Sequence, residues 1–516
     1  MFTLGEIMEK QARLHGASEA VVFGDTRLSY RTLHERTSRL ANALLDLGLK
    51  PGDRIAMLAE NSHRYVEYYF GVAKAGMVAT PLNFRLTPRE LIYMLVDSGA
   101  RALFVGAEYE SILPQLREGA PAVEFWIGVD QECLQPLAFD ALIENSPENL
   151  PDLPIGENDL AMIIYTGGTT GLPKGVMLSH RNLISANISI IIAMGMKAGD
   201  TALMVLPMFH IALWQAMCHL MVGAKVVLIK RADIGEMLRT IEAERCTAVN
   251  AVPTFYNWMI NDPRLDQHDL SSLRMLSYGG SSFPEEVLRK CIAKFGPIIS
   301  QGYGLTEGAP SVAMLSAEDH VLDGPRAKLL LSAGREMTLG EICIADGAGK
   351  ALPQGEVGEV SIRGPNVMMG YWNNPELTRE RLQNGWLRTG DIGYLDEEGY
   401  LFLLDRKADM IVTGGENVYP SEVEAVLYTH EAVLECIVAS APDDRWGERV
   451  QAVVVLKPEM QVTETELLDF CKSRLAGYKC PKHIELWTEL PKTVVGKMLR
   501  KDVKARFWDG HQRKIH

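Results

Sequence analysis

The chain of 516 residues exceeds the roughly 250–300 residues at which a single hydrophobic core stops growing, so two or more domains are expected. A make-up of 47% hydrophobic and 23% charged residues, with no low-complexity tract, excludes a disordered or fibrous chain. Fifty-two basic against 66 acidic residues give a net charge of −14, which excludes a general nucleic-acid binder and leaves any phosphate ligand to local donors.

The N-terminal stretch MFTLGEIMEKQARLHG mixes charges into an amphipathic pattern without an apolar block, so it does not read as a secretory signal. RIAML at 54–58 reads as a buried strand, residues 62–75 as a helix stopped at Gly76, and MVAT as a further strand. Thr87, Pro88 and Glu90 form a helix start with a capping hydroxyl, a proline in the first turn and a reciprocal glutamate; Gly99 ends that helix before the strand ALFV. Residues 202–229 are apolar enough to suggest a membrane span, but Pro207, His210, Gln215, His219 and Lys225 interrupt them. They read instead as strand, loop, buried helix and strand. The alternation continues through KVVLI, a helix at 234–245, TAVNAV, RMLSYGG, a helix capped by Ser282 and Glu285, and IISQGYG.

This rhythm predicts an α/β fold with parallel sheets covered by helices. Near residue 325 the pattern shifts to short alternating strands with Gly and Pro, read as a small β subdomain of barrel type reaching residue 405. Residues 406–516 then read as a compact α+β domain, with a mobile junction near 405–410. No two of the eight cysteines stand in a C-x-x-C arrangement, which predicts reduced thiols and a cytoplasmic protein.

The richest chemical signal is YTGGTTGLPKGV at 165–176. Glycines let backbone N–H groups approach an anion, threonine hydroxyls add donors and Lys174 adds charge, so the loop is built to wrap polyphosphate. It is not the P-loop pattern, because Lys174 follows Pro173 and precedes Gly175. GYGLTEG at 302–308 also fails as a dinucleotide fingerprint: Glu307 stands where the third glycine belongs, and Thr306 with Glu307 suits Mg²⁺ bridged to phosphate. His210, Cys218 and His219 make no zinc pattern, and no G-x-S-x-G elbow supports a hydrolase.

These blocks, together with PMFH (207–210), YGG (278–280), QGYGLTE (301–307), RTGD (388–391), DRKADMIVTGGENVYP (405–420) and PKTVVGKMLRK (491–501), resemble the adenylate-forming superfamily of acyl-CoA synthetases, adenylation domains and luciferases over nearly the whole chain. The resemblance implies an ATP-dependent carboxylic acid–CoA ligase, passing through acyl-AMP, with a fatty or an aryl or cinnamic-type acid as substrate. Its cofactors would be ATP, Mg²⁺ and CoA, with a homodimer as the assembly.

Residue by residue, the resemblance implies that Thr166, Gly168, Thr169, Thr170, Gly171 and Lys174 hold the phosphates. Gly279, Gly280, Gln301, Gly302, Tyr303 and Gly304 would frame the nucleotide, with Tyr303 stacked on adenine. Asp391 would bind the ribose hydroxyls and Arg406 would reach ribose or phosphate. Thr306 and Glu307 would serve the α-phosphate, Glu307 and Thr166 the Mg²⁺, and Lys497 would be the mobile catalytic lysine. Gly414 and Gly415 would face CoA. His210 would stand near the acyl carboxylate, with Trp214, Phe255, Tyr256 and Tyr278 lining an acyl pocket. Two positions depart from the pattern: Gly167 replaces a hydroxyl residue in the loop, and Ala408 occupies the hinge position. A ligase loading a carrier protein and a non-catalytic adenylate-binding protein are the alternatives.

Overall fold

The alternation read from residues 54–105 is realised as strands Arg54–Leu58, Val78–Pro81 and Ala100–Val105 connected by helices His63–Lys74 and Pro88–Ser98. The second helix starts as its sequence dictates: the Thr87 hydroxyl accepts the Glu90 amide and the Glu90 carboxylate accepts the Thr87 amide. It stops at Gly99, whose φ of +62° is one a side chain would resist. The computed structural model describes residues 3–130, 133, 135–166, 173–210, 212–280, 283, 285–406, 409–413, 416–443, 445–492 and 498–509.

Those three strands belong to an eight-stranded sheet that is parallel from Leu160–Thr166 through Val78–Pro81, Arg54–Leu58 and Ala100–Val105 to Leu137–Ala138. Antiparallel strands Lys174–Ser179 and Gly370–Tyr371 complete its other edge. A nine-stranded sheet has a parallel centre made of Ile299–Tyr303, Met275–Gly279, Ala248–Ala251, Thr201–Met204, Lys225–Leu228 and Glu19–Phe23, with antiparallel strands at both ends. The apolar stretch at 202–229 resolves into strand Thr201–Met204, helix Ala212–Met221 and strand Lys225–Leu228, and no helix among the described residues is long and apolar enough to cross a membrane.

Helix His63–Lys74 joins the two sheets. The Tyr68 hydroxyl donates to the Ile55 carbonyl at 2.6 Å on one sheet, and the Tyr69 hydroxyl donates to the Met208 carbonyl at 2.8 Å on the side of the other. Asn61 adds a second link, donating to the Leu206 carbonyl and accepting the Met208 amide. Buried polar groups satisfied in this way fix how one layer sits on the next.

The β-rich stretch forms a five-stranded antiparallel sheet of Glu341–Ala345, Gly358–Arg363, Leu382–Gln383, Trp386–Leu395 and Leu401–Arg406, curled as a half-barrel. Two of its segments serve elsewhere: Arg335–Glu336 extends the nine-stranded sheet and Gly370–Tyr371 the eight-stranded one. The small subdomain expected at 325–405 is therefore interleaved with both large sheets, because short strands carry too little pattern to reveal their partners.

Beyond it, a mixed sheet of Ile411–Thr413, Glu416–Val418, Val433–Asp443, Gly447–Leu456 and His483–Leu486 carries helices Pro420–Tyr428, Glu464–Lys472 and Arg500–Phe507. This smaller unit is tied to the larger one at Asp405, whose carboxylate accepts the Ser421 amide at 3.0 Å and pairs with Arg500 at 3.1 Å. Arg500 also pairs with Asp409 at 3.4 Å and makes two bonds to Glu424, at 2.9 and 2.8 Å. Burial alone would lower the pKa of the Arg500 guanidinium, but Glu424 and Asp405 outweigh it and raise it.

Candidate active site

The stretch expected to wrap polyphosphate lies between two paired strands. Strands Leu160–Thr166 and Lys174–Ser179 run antiparallel, with Thr166 directly opposite Lys174 at the last described pair. A strand thus follows this stretch, and helix His180–Met194 begins only after it, capped by Ser179 and Asn182. Gly168, Thr169, Thr170 and Gly171 lie outside the described residues.

Side chains from distant segments hold this pair of strands. The Tyr165 hydroxyl donates to Asp97 at 2.6 Å, the Trp372 indole donates to the Asp97 carbonyl at 2.8 Å, and the Trp372 amide donates to the Gly175 carbonyl at 2.7 Å. A side chain at Gly175 would stand 2.9 Å from Ile163 and 3.2 Å from Trp372, so the packing demands glycine there.

Thr306 and Glu307 sit in a short turn, Thr306–Gly308, that follows strand Ile299–Tyr303 and packs against strand Lys174–Ser179. The Glu307 carboxylate accepts the Tyr371 hydroxyl at 2.8 Å, and its carbonyl accepts the Met368 amide at 2.9 Å. Tyr371 in turn pairs with Val176, two residues after Lys174 on the same strand. Glu307 is therefore fixed beside strand Lys174–Ser179, which follows the glycine-rich stretch. Burial, and then the adjacent Glu307 charge, push the Tyr371 phenol well above its ordinary pKa, so it remains a donor. Sequence reading missed Tyr371 because it lies 64 positions from Glu307, and GYW alone carries no chemical pattern.

Tyr303 and Asp391 are also brought together: the Tyr303 hydroxyl donates to the Asp391 carboxylate at 2.7 Å. Asp391 lies opposite Arg406 in the pairing of strands Trp386–Leu395 and Leu401–Arg406. Gly304 is required by crowding, since a Cβ there would fall 1.8 Å from the Pro310 carbonyl oxygen. Gly279 and Gly302 are register neighbours on adjacent strands, and Gly280 turns away with a φ of +78°. Gln301 accepts the Tyr278 hydroxyl at 3.1 Å.

The four aromatics expected around an acyl pocket do not form one cluster: Tyr256 and Tyr278 meet through Phe283, while Trp214 lies on another helix. Trp214 is buried in helix Ala212–Met221, and its indole N–H has no partner among the described residues. Tyr278 points to the other face of the nine-stranded sheet, where its ring meets His320 at 5.9 Å and Phe283 edge-on at 4.7 Å. Phe283 stacks on Tyr256, whose hydroxyl donates to the Ser277 carbonyl at 2.9 Å; Phe255 packs edge-on against Trp258 at 5.2 Å. Strand alternation turns Tyr278 away from Trp214 and toward Tyr256, which it meets through Phe283. His210 is exposed in the turn before helix Ala212–Met221. Lys497, Gly414 and Gly415 lie outside the described residues, although the flanks of the lysine segment are bridged, Lys492 to Met498.

Residues 8–372 match the family described as AMP-binding enzyme, and residues 422–497 match the AMP-binding enzyme C-terminal domain. The chain belongs to the AMP-binding enzyme family. Among similar members is a feruloyl-CoA synthase from Amycolatopsis sp, 39% identical over 510 residues covering 98% of this chain and 99% of that protein. A fatty acid–[acyl-carrier-protein] ligase of Streptomyces coeruleorubidus is 36% identical over 100% of this chain and 98% of its own length. A long-chain-fatty-acid–CoA ligase of Mycobacterium tuberculosis is 34% identical, with 98% and 99% covered. Among solved structures, an anthranilate CoA ligase in complex with anthranoyl-AMP superposes with a TM-score of 0.89 at 29% identity, covering 98% of this chain and 97% of that one. In this AMP-binding enzyme the two-part α/β architecture, a large N-terminal part and a smaller C-terminal one, is the architecture of those structures.

Proposed function

We propose that this AMP-binding enzyme is an AMP-forming acid–CoA ligase whose site lies where the phosphate hairpin, the Thr306–Gly308 turn and the Tyr303–Asp391 pair meet. The substrate carboxylate attacks the α-phosphorus of ATP and expels pyrophosphate; the CoA thiol then attacks the acyl carbonyl of the adenylate and expels AMP. The substrate is a fatty acid or an aryl or cinnamic-type acid, in keeping with the names of the relatives.

The observation that carries this reading is the Tyr371–Glu307 bond, which fixes a carboxylate beside the strand leaving the polyphosphate loop. A carboxylate there would repel a polyphosphate alone, so its placement calls for a cation between them. Glu307 and Thr166 would hold Mg²⁺, which supplies charge neutralisation on the phosphates. Thr166, Gly168, Thr169, Thr170, Gly171 and Lys174 hold the phosphates, while Tyr303, with Gly279, Gly280, Gln301, Gly302 and Gly304, seats the adenine. Asp391 takes the ribose hydroxyls and Arg406 reaches ribose or phosphate. Thr306 positions the α-phosphate, His210 stands near the acyl carboxylate, and Lys497 offsets charge as pyrophosphate leaves.

The domain division falls between 1–405 and 406–516, and the smaller unit turns about residues 405–410 to exchange Lys497 for Gly414 and Gly415 between the half-reactions. The Arg500 pairs with Asp405 and Asp409 support that pivot, since they bind the start of the last helix to the junction itself. All eight cysteines are unpaired, in keeping with a cytoplasmic setting; a homodimer rests on the family resemblance.

Transfer to a carrier protein is the second reading, favoured by the Streptomyces coeruleorubidus relative. Incubation with ATP and a panel of fatty, benzoic and cinnamic acids, with CoA or a phosphopantetheinylated carrier protein as acceptor, separates the two. The first reading expects acyl-CoA and AMP by mass spectrometry; acyl transfer confined to the carrier would replace it with the second.

A further inference from the structure

Asp97, in the last turn of helix Pro88–Ser98, joins segments that lie far apart in the chain. Its carboxylate accepts the Tyr165 hydroxyl at 2.6 Å, and its carbonyl accepts the Trp372 indole at 2.8 Å and the Asn373 side-chain amide at 3.0 Å. A carbonyl at a helix end lacks an intrahelical partner, so the bonds to Trp372 and Asn373 cap the helix. Arg54 completes that cap by donating to the Ser98 and Gly99 carbonyls at 2.7 and 2.9 Å, and its guanidinium stands 5.6 Å from the Trp372 ring centre. Capping does not need the bond from the phenol to the carboxylate. That bond adds a charge-assisted link between the helix and strand Leu160–Thr166.

The link lands next to the residues that the ligase reading gives to the phosphates. Tyr165 faces Gly175 across the strand pair, and the next pair is Thr166 with Lys174. Successive residues on a strand are about 3.3 Å apart, so the bond holds the pair immediately behind those two. Gly175 makes room for it: a Cβ there would stand 3.3 Å from the Tyr165 ring and 3.2 Å from the Trp372 Cβ, so both side chains lie against the bare glycine. The Trp372 amide, donating to the Gly175 carbonyl at 2.7 Å, ties the same residue through the backbone. Burial, and then the bond to Asp97 and its charge, push the Tyr165 phenol above its ordinary pKa, so it stays a donor. Tyr165, Gly175 and Trp372 are therefore anchored as one body on Asp97.

We infer that Asp97 and Tyr165 are positioning residues of the adenylation step, whose bond sets the register of Thr166 and Lys174 against the triphosphate. The inference rests on the acid–CoA ligase reading and adds to it two residues that act through others. Misplacing reacting groups by about 1 Å can cost about a hundredfold in rate, so a clamp one residue behind the phosphate ligands is close enough to govern them. The β- and γ-phosphates have left before the CoA thiol attacks. The bond therefore serves adenylation and not thioester formation.

The test uses the full-length wild type, Tyr165→Phe, Asp97→Ala, Asp97→Asn and the double variant Tyr165→Phe/Asp97→Ala, with whichever fatty, benzoic or cinnamic acid the wild type uses best. Pyrophosphate release is measured against ATP concentration, and conversion of preformed acyl adenylate and CoA to thioester is measured beside it. Tyr165→Phe and Asp97→Ala should each lower kcat/KM for ATP about tenfold, and the double variant should fall no further than about twofold below the worse single, since all three lose one bond. Asp97→Asn, whose side-chain oxygen still accepts the hydroxyl, should stay within about threefold of wild type. Thioester formation should stay within about twofold of wild type in every variant, whereas lost packing alone would lower both half-reactions together. An unchanged kcat/KM for ATP in Tyr165→Phe, equal loss in both half-reactions, or losses that multiply in the double variant overturn the inference and leave the ligase reading intact. Should Asp97→Ala not fold, Tyr165→Phe against Asp97→Asn decides, and equal impairment of the two overturns it. If the wild type releases no pyrophosphate with any acid, the ligase reading fails, and the inference with it.

Discussion

Replacing Tyr371 with Phe removes one hydroxyl and leaves the backbone pairing of Gly370–Tyr371 with Met177 and Val176 intact. The lost bond runs 2.8 Å to a carboxylate, and hydrogen bonds to charged groups contribute about 1.5–3 kcal/mol. Glu307 is half-buried, so water recovers part of the loss, and about 1.5–2 kcal/mol remains. If Tyr371 orients Glu307 toward the phosphates, that amount appears in the adenylation barrier as a ~10- to 30-fold fall in kcat/KM. The assay is acid-dependent pyrophosphate release at limiting ATP, with conversion of preformed acyl adenylate and CoA to thioester as the internal control. The control should be unchanged. Adenylation within about twofold of wild type would show that Glu307 does not depend on Tyr371, and the linkage between the hairpin and the Thr306–Gly308 turn would lose its chemical meaning.

Asp391→Ala should raise KM for ATP about tenfold and leave the acid's KM near wild type, measured by steady-state pyrophosphate release; an unchanged ATP KM would remove Asp391 from the ribose. Arg500→Met leaves Glu424 buried without its cation and should cost about 3–5 kcal/mol, seen in calorimetry as earlier melting of the C-terminal unit, whereas an unshifted transition would make the cluster incidental. Lys74, buried against Thr37, Ser38 and the His34 carbonyl, has its pKa lowered by burial from 10.5 to about 7. Between pH 7 and 10.5 the unfolded chain therefore binds the extra proton, and stability rises with pH by up to about 1.4 kcal/mol per unit from this group. Urea midpoints of Lys74→Met should lack that component of the rise, and a slope equal to wild type would contradict the assignment.

Much of the fold is legible in the sequence where local chemistry sets it. Thr87 with Glu90 starts a helix and Gly99 ends it; Pro207 and His210 fall in the loop that divides the apolar run at 202–229 into strand and helix. What is not legible depends on pairing at a distance. Glu19–Phe23 joins Lys225–Leu228, and Gly370–Tyr371 leaves the β-rich stretch to join Lys174–Ser179, because strands of two to six residues carry little information about their partner. The same holds for the site. Thr166, Lys174, Thr306, Glu307, Tyr303 and Asp391 announce themselves by type and spacing, whereas Tyr371, Asp97 and Trp372, which hold them, do not. Tyr278 and Trp214 looked alike as pocket-lining aromatics; strand alternation turns Tyr278 to the face opposite helix Ala212–Met221.

The most direct test of the central claim is ATP–pyrophosphate exchange, run without CoA on the wild type and on Lys497→Ala. Acid-dependent exchange by the wild type is predicted, nearly abolished in Lys497→Ala, while that variant still converts preformed acyl adenylate and CoA to thioester. Exchange independent of any acid, formation of ADP in place of AMP, or equal loss of both half-reactions in Lys497→Ala would contradict it.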